Sequence, residues 1–341
     1  MSRHEDLDRL PNGRITNDYL RKLCKSKGGY MTEKLNEKLY LQHKGVTKIE
    51  NLDKFTGVKV LWLESNAVNK IEGLESLKEL SCLYIHQNCI EHIEGIFHCQ
   101  SLHTLNISEN FISHIPEELG KCCTNLQTLD LNSNQLRTLD SIKALKYCTK
   151  LSILDLSKNK LFESIPENMT QEQLIEEFLA TLRSLSELKL LRLEGNPLVR
   201  MIPNYRKEII AQFPSLNYLD NMPIFEDERR TVNAWKRGGV EEEREERKKI
   251  AQEKKDKERK NFEAFEKLVE NARREAQNNH KTDEKENDTN QDDEMVELKT
   301  PDAAALMTLK TNQDQEQPTK TEEIPVDDVA RSDEESLFDI E

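Results

Sequence analysis

The stretch VKVLWLESNAV, residues 58–68, decides the fold of this chain. It follows the pattern LxxLxLxxNxI, with Leu61 and Leu63 in the central LxL and Asn66 at the polar position. The skeleton returns five more times, and the polar position is then held by Asn88, Asn110, Asn134, Asn159 and Asn196. The chain is therefore built from repeats of one short unit.

The spacing of the copies indicates the architecture. A degenerate first copy carries Lys44 in place of the asparagine. Counted from Lys44 through the six asparagines, the steps are 22, 22, 22, 24, 25 and 37 residues. This period and pattern are typical of leucine-rich repeats. We predict an α/β solenoid, a leucine-rich-repeat right-handed superhelix with short parallel strands on its concave side.

The chemistry of each position supports this prediction. Two leucines spaced two apart point to one face of a short strand, and the residue between them points to the other. One copy cannot bury its leucines alone, whereas stacked copies share a continuous core. The asparagines would bridge backbone groups of neighbouring copies where each strand bends away. We assign them a structural role, as an asparagine ladder.

Helices are expected to close both ends of the array. Residues 17–29, NDYLRKLCKSKGG, should form a capping helix with Asn17 or Asp18 as its N-cap, after a flexible stretch 1–14. A partner-binding helix is the alternative. The apolar spacing in residues 205–219 predicts a helix and a truncated last strand as the C-terminal cap. Between 162 and 187, the sequence TQEQLIEEFLATLRSL predicts a convex helix with a capping box, or a docking feature.

The composition divides the chain into four parts. They are 1–34, an N-terminal segment and capping helix; 35–220, the repeats with their cap; 221–280, a linker and charged helix; and 281–341, a disordered acidic tail. The tail holds 20 acidic and 6 basic residues, so it carries all of the net charge of −14. The remainder has no basic surplus, and we expect no nucleic-acid partner.

The charged helix should stand in solvent. Opposite charges lie four residues apart in pairs such as Glu243 with Arg247, Glu245 with Lys249, and Glu253 with Lys257. Apolar residues then recur at steps of three and four, at Phe262, Phe265, Val269 and Ala272. They suit a short coiled-coil seam or a frayed helix end.

The chain shows no sign of secretion or membrane insertion. Its N-terminus lacks an apolar leader core, and no run of about 18 apolar residues occurs. Seven cysteines without a CxxC pair fit a cytosolic or nuclear protein. Cys99, Cys123 and Cys148 precede strand-opening leucines at one fixed distance, which indicates core filling rather than a metal site.

Catalytic signatures are missing from the sequence. It contains no GxxxxGK[ST], GxGxxG, HExxH or GxSxG motif. We expect a protein that is not an enzyme, with no cofactor, no metal and no small-molecule substrate.

The concave face offers a better site. Between the buried leucines of successive copies stand Tyr40, Trp62, Tyr84, Asn106, Asp130, Asp155 and Arg192, and His86 should share this face. Strands about 4.8 Å apart would place the three rings in one strip. Aromatic rows anchor protein interfaces, and the two aspartates would select a basic partner. Alternatively, the rings only cover the sheet or pack under the N-terminal segment.

Three segments resemble one known family. They are LEGNPLVRMIPNYRKEII (193–210), FPSLNYLDNMPIFEDERR (213–230) and NAWKRGGVEEEREER (233–247), and together with the repeats they make residues 20–250 similar to the dynein axonemal assembly factor 1 family. The residues that carry the likeness in these segments include Tyr205, Arg206, Trp235, Gly238 and Gly239. The long return before Leu188 and the short acidic tail depart from the family.

The resemblance implies a function. It implies a non-enzymatic factor in the cytoplasmic pre-assembly of axonemal dynein arms, associated with the cilium and axoneme, whose partners are dynein heavy chains and chaperones. Two alternatives stay open, a leucine-rich axonemal dynein light chain and a regulatory subunit of a serine/threonine phosphatase. Neither would account for the AWKRGG segment.

Overall fold

The structure of the chain is a computed structural model that describes residues 10–286. The described residues belong to two compact units, one that ends at Phe262 and one that begins at Glu263. The first unit contains the repeats. The described part of the second is helical, residues 263–286. The N-terminal residues 1–9 and most of the predicted acidic tail lie outside the described residues.

One sheet of nine short strands runs through the described repeats in sequence order. The strands are β1 (Lys38–Tyr40), β2 (Val60–Trp62), β3 (Cys82–Tyr84), β4 (Thr104–Asn106), β5 (Thr128–Asp130), β6 (Ile153–Asp155), β7 (Leu190–Arg192), β8 (Tyr218–Leu219) and β9 (Met222–Pro223). The first eight pair in parallel, and β9 pairs antiparallel to β8. Equivalent residues stand side by side, as Leu61 does with Leu83. The predicted leucine-rich-repeat fold is confirmed.

The leucines of the pattern form one continuous core. Leu61, Leu63, Leu83 and Leu105 are fully buried, whereas the residue between the two leucines of each LxL points out of the core. At about 25 cal/mol per Å² of apolar surface removed from water, this burial is the main source of stability. The core sits behind the sheet and leaves the concave side available.

Each asparagine of the ladder connects two copies. In Asn88, the Oδ1 atom accepts the N–H of Val68 at 3.0 Å, and the Nδ2 atom donates to the carbonyls of Leu63 at 3.0 Å and Ile85 at 3.1 Å. Asn66 serves the degenerate first copy and accepts the N–H of Lys44. The backbone groups freed at each bend are thereby satisfied.

The N-terminal cap starts earlier than predicted. Leu10 is 5% exposed and its N–H donates to the carbonyl of Lys44 at 2.8 Å, so residues 10–14 are not a flexible arm. Helix α1 spans Asn17–Ser26, and its N-cap is Thr16 rather than Asn17 or Asp18. The Thr16 hydroxyl accepts the N–H of Tyr19 at 3.2 Å. A short 3₁₀ turn, Glu33–Leu35, leads into β1.

The returns on the convex side are helical where they are long. They include α2 (Glu117–Cys122), a 3₁₀ helix (Lys143–Tyr147) and α3 (Gln171–Arg183). The capping box predicted at Thr170 and Gln173 is confirmed. Phe178 of α3 packs edge-on against Phe162, with ring centroids 5.6 Å apart. The helix therefore fills the outer side of the longest repeat.

The cysteines of the returns fill core space, as predicted. Cys99, Cys123 and Cys148 are buried. Burial raises the pKa of the Cys148 thiol to about 12, so this group stays neutral and unreactive.

The C-terminal cap consists of α4 (Pro197–Met201), α5 (Tyr205–Gln212) and the strands β8 and β9. The helical segment α6, Glu226–Glu286, follows and is broken at Gly238 and Gly239. Gly239 has φ 69° and ψ −151°, a conformation reserved for glycine. The chain reverses there, and residues 240–254 return along residues 226–237.

This reversal differs from the solvated single helix predicted over 241–260. Glu243 is 6% exposed and Ile250 is 7% exposed, because both lie against the preceding arm and the cap. The predicted pair of Glu243 with Arg247 is present. Glu253 instead binds Arg230, and Glu245 binds Lys248, so two of the three predicted pairs are replaced.

Candidate functional site: the concave face of the repeats

Three aromatic rings are stacked across the first three strands of the concave face. The ring centroids of Tyr40 and Trp62 are 4.5 Å apart with an interplanar angle of 11°, and those of Trp62 and Tyr84 are 5.8 Å apart at 12°. We call these three residues the aromatic strip. Each of its three rings is half-buried.

The geometry of the strip follows from the repeat. Each ring stands between the two buried leucines of its LxL, and the parallel strands pair these positions directly, Tyr40 with Trp62 and Trp62 with Tyr84. Because the strand spacing is close to the ring spacing, the rings meet face to face. Both faces of the Trp62 indole are covered by its neighbours. The strip therefore offers ring edges and polar tips to a partner.

The next strands continue the row with polar groups. Asn106 accepts the N–H of Ser108 at 3.1 Å, and Asp130 accepts the N–H of Asn132 at 3.0 Å. These local hydrogen bonds hold each side chain against the turn that follows its strand. Burial is the main cause that raises the pKa of the Asp130 carboxyl, and the nearby Asp155 adds to it. Asp130 has no ion-pair partner among the described side chains.

Asp155 differs from its expected role of selecting a basic partner. It is only 5% exposed, and its carboxylate accepts hydrogen bonds from Ser157 and, at 3.1 Å, from Nη1 of Arg192. The charge of Asp155 is thus compensated within the chain by Arg192. Of the two predicted carboxylates, only Asp155 forms an ion pair, although the charges of Arg192 and His86 also act on Asp130.

A second row on the same face carries unpaired polar atoms. Gln42, Glu64 and His86 each lie two residues beyond a ring of the strip, and so face the same side of the sheet. The atoms Gln42 Oε1, Glu64 Oε2 and His86 Nδ1 are buried without a hydrogen-bond partner. We call these three residues the polar row. Sequence analysis placed His86 here but missed Gln42 and Glu64, although the two-residue alternation marks their positions.

A groove adjoins the strip at its N-terminal end. It has a volume of about 500 Å³ and lies between the end of α1 and β1, with Tyr40 in its wall. Tyr30 and Leu35 line it and are themselves exposed. Exposed apolar side chains thus continue past the first strand, in a groove that Lys27, Glu37 and Lys38 also line.

The residues of the family-like segments lie in the C-terminal cap and in the helical hairpin that follows it, away from the strip. The Tyr205 hydroxyl donates to Oδ2 of Asp220 at 3.1 Å, and Oδ1 of Asp220 accepts the N–H of Leu193. Asp220 therefore satisfies the backbone N–H groups of Leu193 and Glu194, just past the end of β7, a role that sequence analysis missed. Burial, and then the charge of Asp220, raise the pKa of Tyr205.

Arg206 and Trp235 hold the cap and the hairpin together. Arg206 donates to Glu228 at 2.6 and 2.7 Å and to the carbonyl of Pro223 at 2.9 Å. The ammonium group of Lys207 lies 5.7 Å from the ring centroid of Trp235. These contacts, together with the turn at Gly238 and Gly239, hold the hairpin against the cap.

The concave face combines aromatic and polar side chains. Among the described residues, no group of three His, Cys, Asp or Glu side chains is arranged to hold a metal ion. No helix within residues 10–286 is both long and apolar enough to span a bilayer. The face carries ring edges, unpaired acceptors and a carboxylate without an ion pair, which are groups common in protein interfaces.

Comparisons with known proteins agree with this architecture. A family model for the leucine rich repeat matches residues 100–161. Dynein axonemal assembly factor 1 of Peromyscus californicus is 45% identical over 270 residues, which cover 72% of this chain and 37% of that protein. The Homo sapiens protein of the same name is 47% identical over 234 residues, 69% of this chain and 30% of that protein.

The chain spans about a third of the length of these curated relatives. Among solved structures, an internalin of Listeria monocytogenes covers 56% of this chain and 49% of its own, with 22% identity and a TM-score of 0.44. The repeat match and the two relatives place the chain among the leucine-rich repeat proteins and confirm its predicted resemblance to the dynein axonemal assembly factor 1 family over about 70% of its length.

Proposed function

We propose that this chain is a non-enzymatic, protein-binding scaffold that acts in the cytoplasmic pre-assembly and stability of axonemal dynein arms, and hence in cilium assembly and motility. The names of its relatives support the assembly role. The aromatic strip is the observation that supports binding. Three aligned rings with free polar edges form a ready anchor for another polypeptide.

The proposed partners are axonemal dynein heavy chains, together with chaperone machinery. The strip crosses three strands, or about 10 Å between the outer two. This width suits a short extended segment of an incompletely assembled dynein chain. A small molecule would instead require an enclosed pocket. The concave face would hold such a segment until the dynein arm is assembled.

The binding site can be tested in ciliated cells. A tagged chain with Trp62→Ala and Tyr84→Ala should recover about tenfold less dynein heavy chain than the wild type, measured by quantitative mass spectrometry. A matched control is Phe111→Ala with Phe225→Ala, which removes two exposed rings outside the strip. The control should recover normal amounts. Undiminished recovery by the strip variant would remove the concave face from the proposal.

The assembly role has its own test. Deletion of the gene in a ciliated cell should remove dynein arms from the axoneme in electron micrographs, and the chain should fractionate with soluble cytoplasm. Tight retention in the axoneme would instead support the dynein light chain alternative. Co-purification of a phosphatase catalytic subunit would support the phosphatase alternative. Neither alternative gains support from the relatives described above.

A further inference from the structure

All four buried side-chain polar atoms that lack a partner in the described part of the chain lie on the concave face. Three belong to the polar row, in three consecutive repeats, and the fourth is Nε of Arg192. Folded proteins satisfy nearly all such atoms, because a desolvated donor or acceptor without a partner is unfavourable. A cluster of them on one face therefore indicates a ligand that supplies the missing partners.

The charge of Glu64 sets the chemistry of that ligand. Glu64 has no ion-pair partner among the described side chains, and its Oε2 atom is shielded from solvent. Glu64 also lies two residues beyond Trp62, on the side of the sheet that carries the aromatic strip. A shielded carboxylate without a counter-charge attracts a cation.

Gln42, in the repeat before Glu64, favours a guanidinium group over a lysine ammonium group as the bound cation. Gln42 occupies the equivalent position in the preceding repeat and presents a second unpaired acceptor, Oε1. A guanidinium group has five N–H donors in a planar fork and can serve two acceptors at once, whereas a lysine ammonium acts as a point charge. His86 Nδ1 can accept a further hydrogen bond when the proton resides on Nε2.

From these contacts we infer that the concave face recognises an arginine side chain of its protein partner, held by Glu64 and Gln42 beside the aromatic strip. This inference rests on the proposed function, for which it specifies the partner chemistry. The aliphatic stem of the arginine would lie against the ring edges of Trp62 and Tyr84. Stacking of the guanidinium on Trp62 is not part of the inference, since both indole faces are covered.

The charges further along the face agree with a basic partner. Asp130 adds a second carboxylate without an ion pair in the described chain, whereas Arg192 is paired with Asp155. An acidic partner would meet both Glu64 and Asp130 as like charges, which disfavours binding. The face therefore selects for positive charge at two places along its length.

The experiment uses a phage-displayed library of random dodecapeptides, selected on the immobilised full chain. Wild type should enrich peptides with an arginine at one fixed position. A fluorescein-labelled peptide of the selected sequence is then synthesised with arginine, lysine or citrulline at that position. Citrulline keeps the shape of arginine but is neutral. Fluorescence anisotropy should show about tenfold weaker binding of the citrulline peptide.

Glu64→Gln tests the assignment directly. On this variant, the arginine peptide should bind about tenfold more weakly, and the arginine and citrulline peptides should differ less than about twofold. Glu91→Gln removes an exposed carboxylate elsewhere and should behave like wild type. Thermal melts of both variants establish that they are folded.

The outcomes separate this inference from the proposed function. Absence of arginine enrichment, equal binding of the lysine peptide, or unchanged binding on Glu64→Gln would overturn the arginine site. If the selected peptides still lose binding on Trp62→Ala with Tyr84→Ala, the strip remains the interface. If peptide binding is also unchanged on Trp62→Ala with Tyr84→Ala, the concave face is not the binding site, and both the arginine inference and the proposed binding site are wrong.

Discussion

Arg230 and Glu253 are 23 residues apart in the chain, yet their side chains form a two-point ion pair with N–O distances of 2.6 and 3.0 Å. The same guanidinium also donates to Glu246 at 2.9 Å. Such contacts require the two arms of the helical hairpin to lie side by side. The turn at Gly238 and Gly239 is what allows it.

The hairpin should open when Gly239 is replaced. Gly239→Ala forces a side chain into a conformation that only glycine adopts readily, at a cost of about 1–3 kcal/mol in hairpin docking. Amide hydrogen exchange should rise in residues 240–262 while the repeats stay protected. Gly238→Ala is the matched comparison, because φ is negative there and its added methyl group overlaps the Glu242 side chain, which requires that side chain to turn away. Equal exchange in the two variants would contradict the argument.

The hairpin should also respond to acid through Glu243. Hydrogen bonds from Lys207, at 2.6 Å, and from Arg247 hold the pKa of this carboxyl below its ordinary value of about 4.5. A lowered pKa in the folded state adds stability that is fully present above pH 4.5 and is lost as the pH falls further. Protection of residues 240–262 should therefore decline below about pH 4.5 in the wild type.

Glu243→Gln provides the control for this pH dependence. The variant should show a less protected hairpin at neutral pH and a smaller further loss in acid. Hydrogen exchange at pH 7 and at several values below 4.5 measures both effects. A wild-type hairpin as well protected at pH 3 as at pH 7 would show that Glu243 does not stabilise it.

The repeats could be predicted because their information is local. The spacing of Leu61, Leu63 and Asn66 specifies a strand, a buried face and a bend within nine residues, and copies of it must stack. The aromatic strip followed from the same rule, since the register pairs Tyr40, Trp62 and Tyr84 directly. The capping box at Thr170 is local as well.

The hairpin could not be predicted because its contacts are distant in sequence. Pairing of Glu253 with Lys257 was expected from helical spacing, but the hairpin brings Arg230 closer to it. The unpaired atoms of Gln42 and Glu64 could not be predicted from the sequence either. Their side-chain positions are equivalent in every repeat, and only the packing of their particular neighbours decides which atoms stay without a partner.

The asparagine ladder should be as important as the leucine core. In Asn110, Oδ1 accepts the N–H of Ile90, and Nδ2 donates to the carbonyls of Ile85 and Ile107, all at 3.0–3.1 Å. Asn110→Leu leaves these buried groups unsatisfied and should lower the free energy of unfolding by about 1–3 kcal/mol.

Chemical denaturation of two further variants gives the scale for Asn110→Leu. Leu105→Ala, which opens a cavity, should cost about 2–5 kcal/mol. Asn69→Leu changes an exposed asparagine outside the ladder and should cost less than about 0.5 kcal/mol. Equal stability of the Asn69 and Asn110 variants would mean that the ladder carries no energetic role.

The aromatic strip should stabilise the fold only modestly, which is why its variants can report on binding. Trp62 and Tyr84 touch each other through their ring faces, and their coupling should be about 0.5–1.5 kcal/mol in a double-mutant cycle of alanine variants. The leucines beneath them are untouched, so the sheet should persist. A cycle of Trp62→Ala with Phe111→Ala should give a coupling below about 0.5 kcal/mol, because Phe111 is an exposed ring outside the strip. A coupling near zero for Trp62 with Tyr84 would mean that the rings do not stack in solution. The strip would then not be a preformed binding surface.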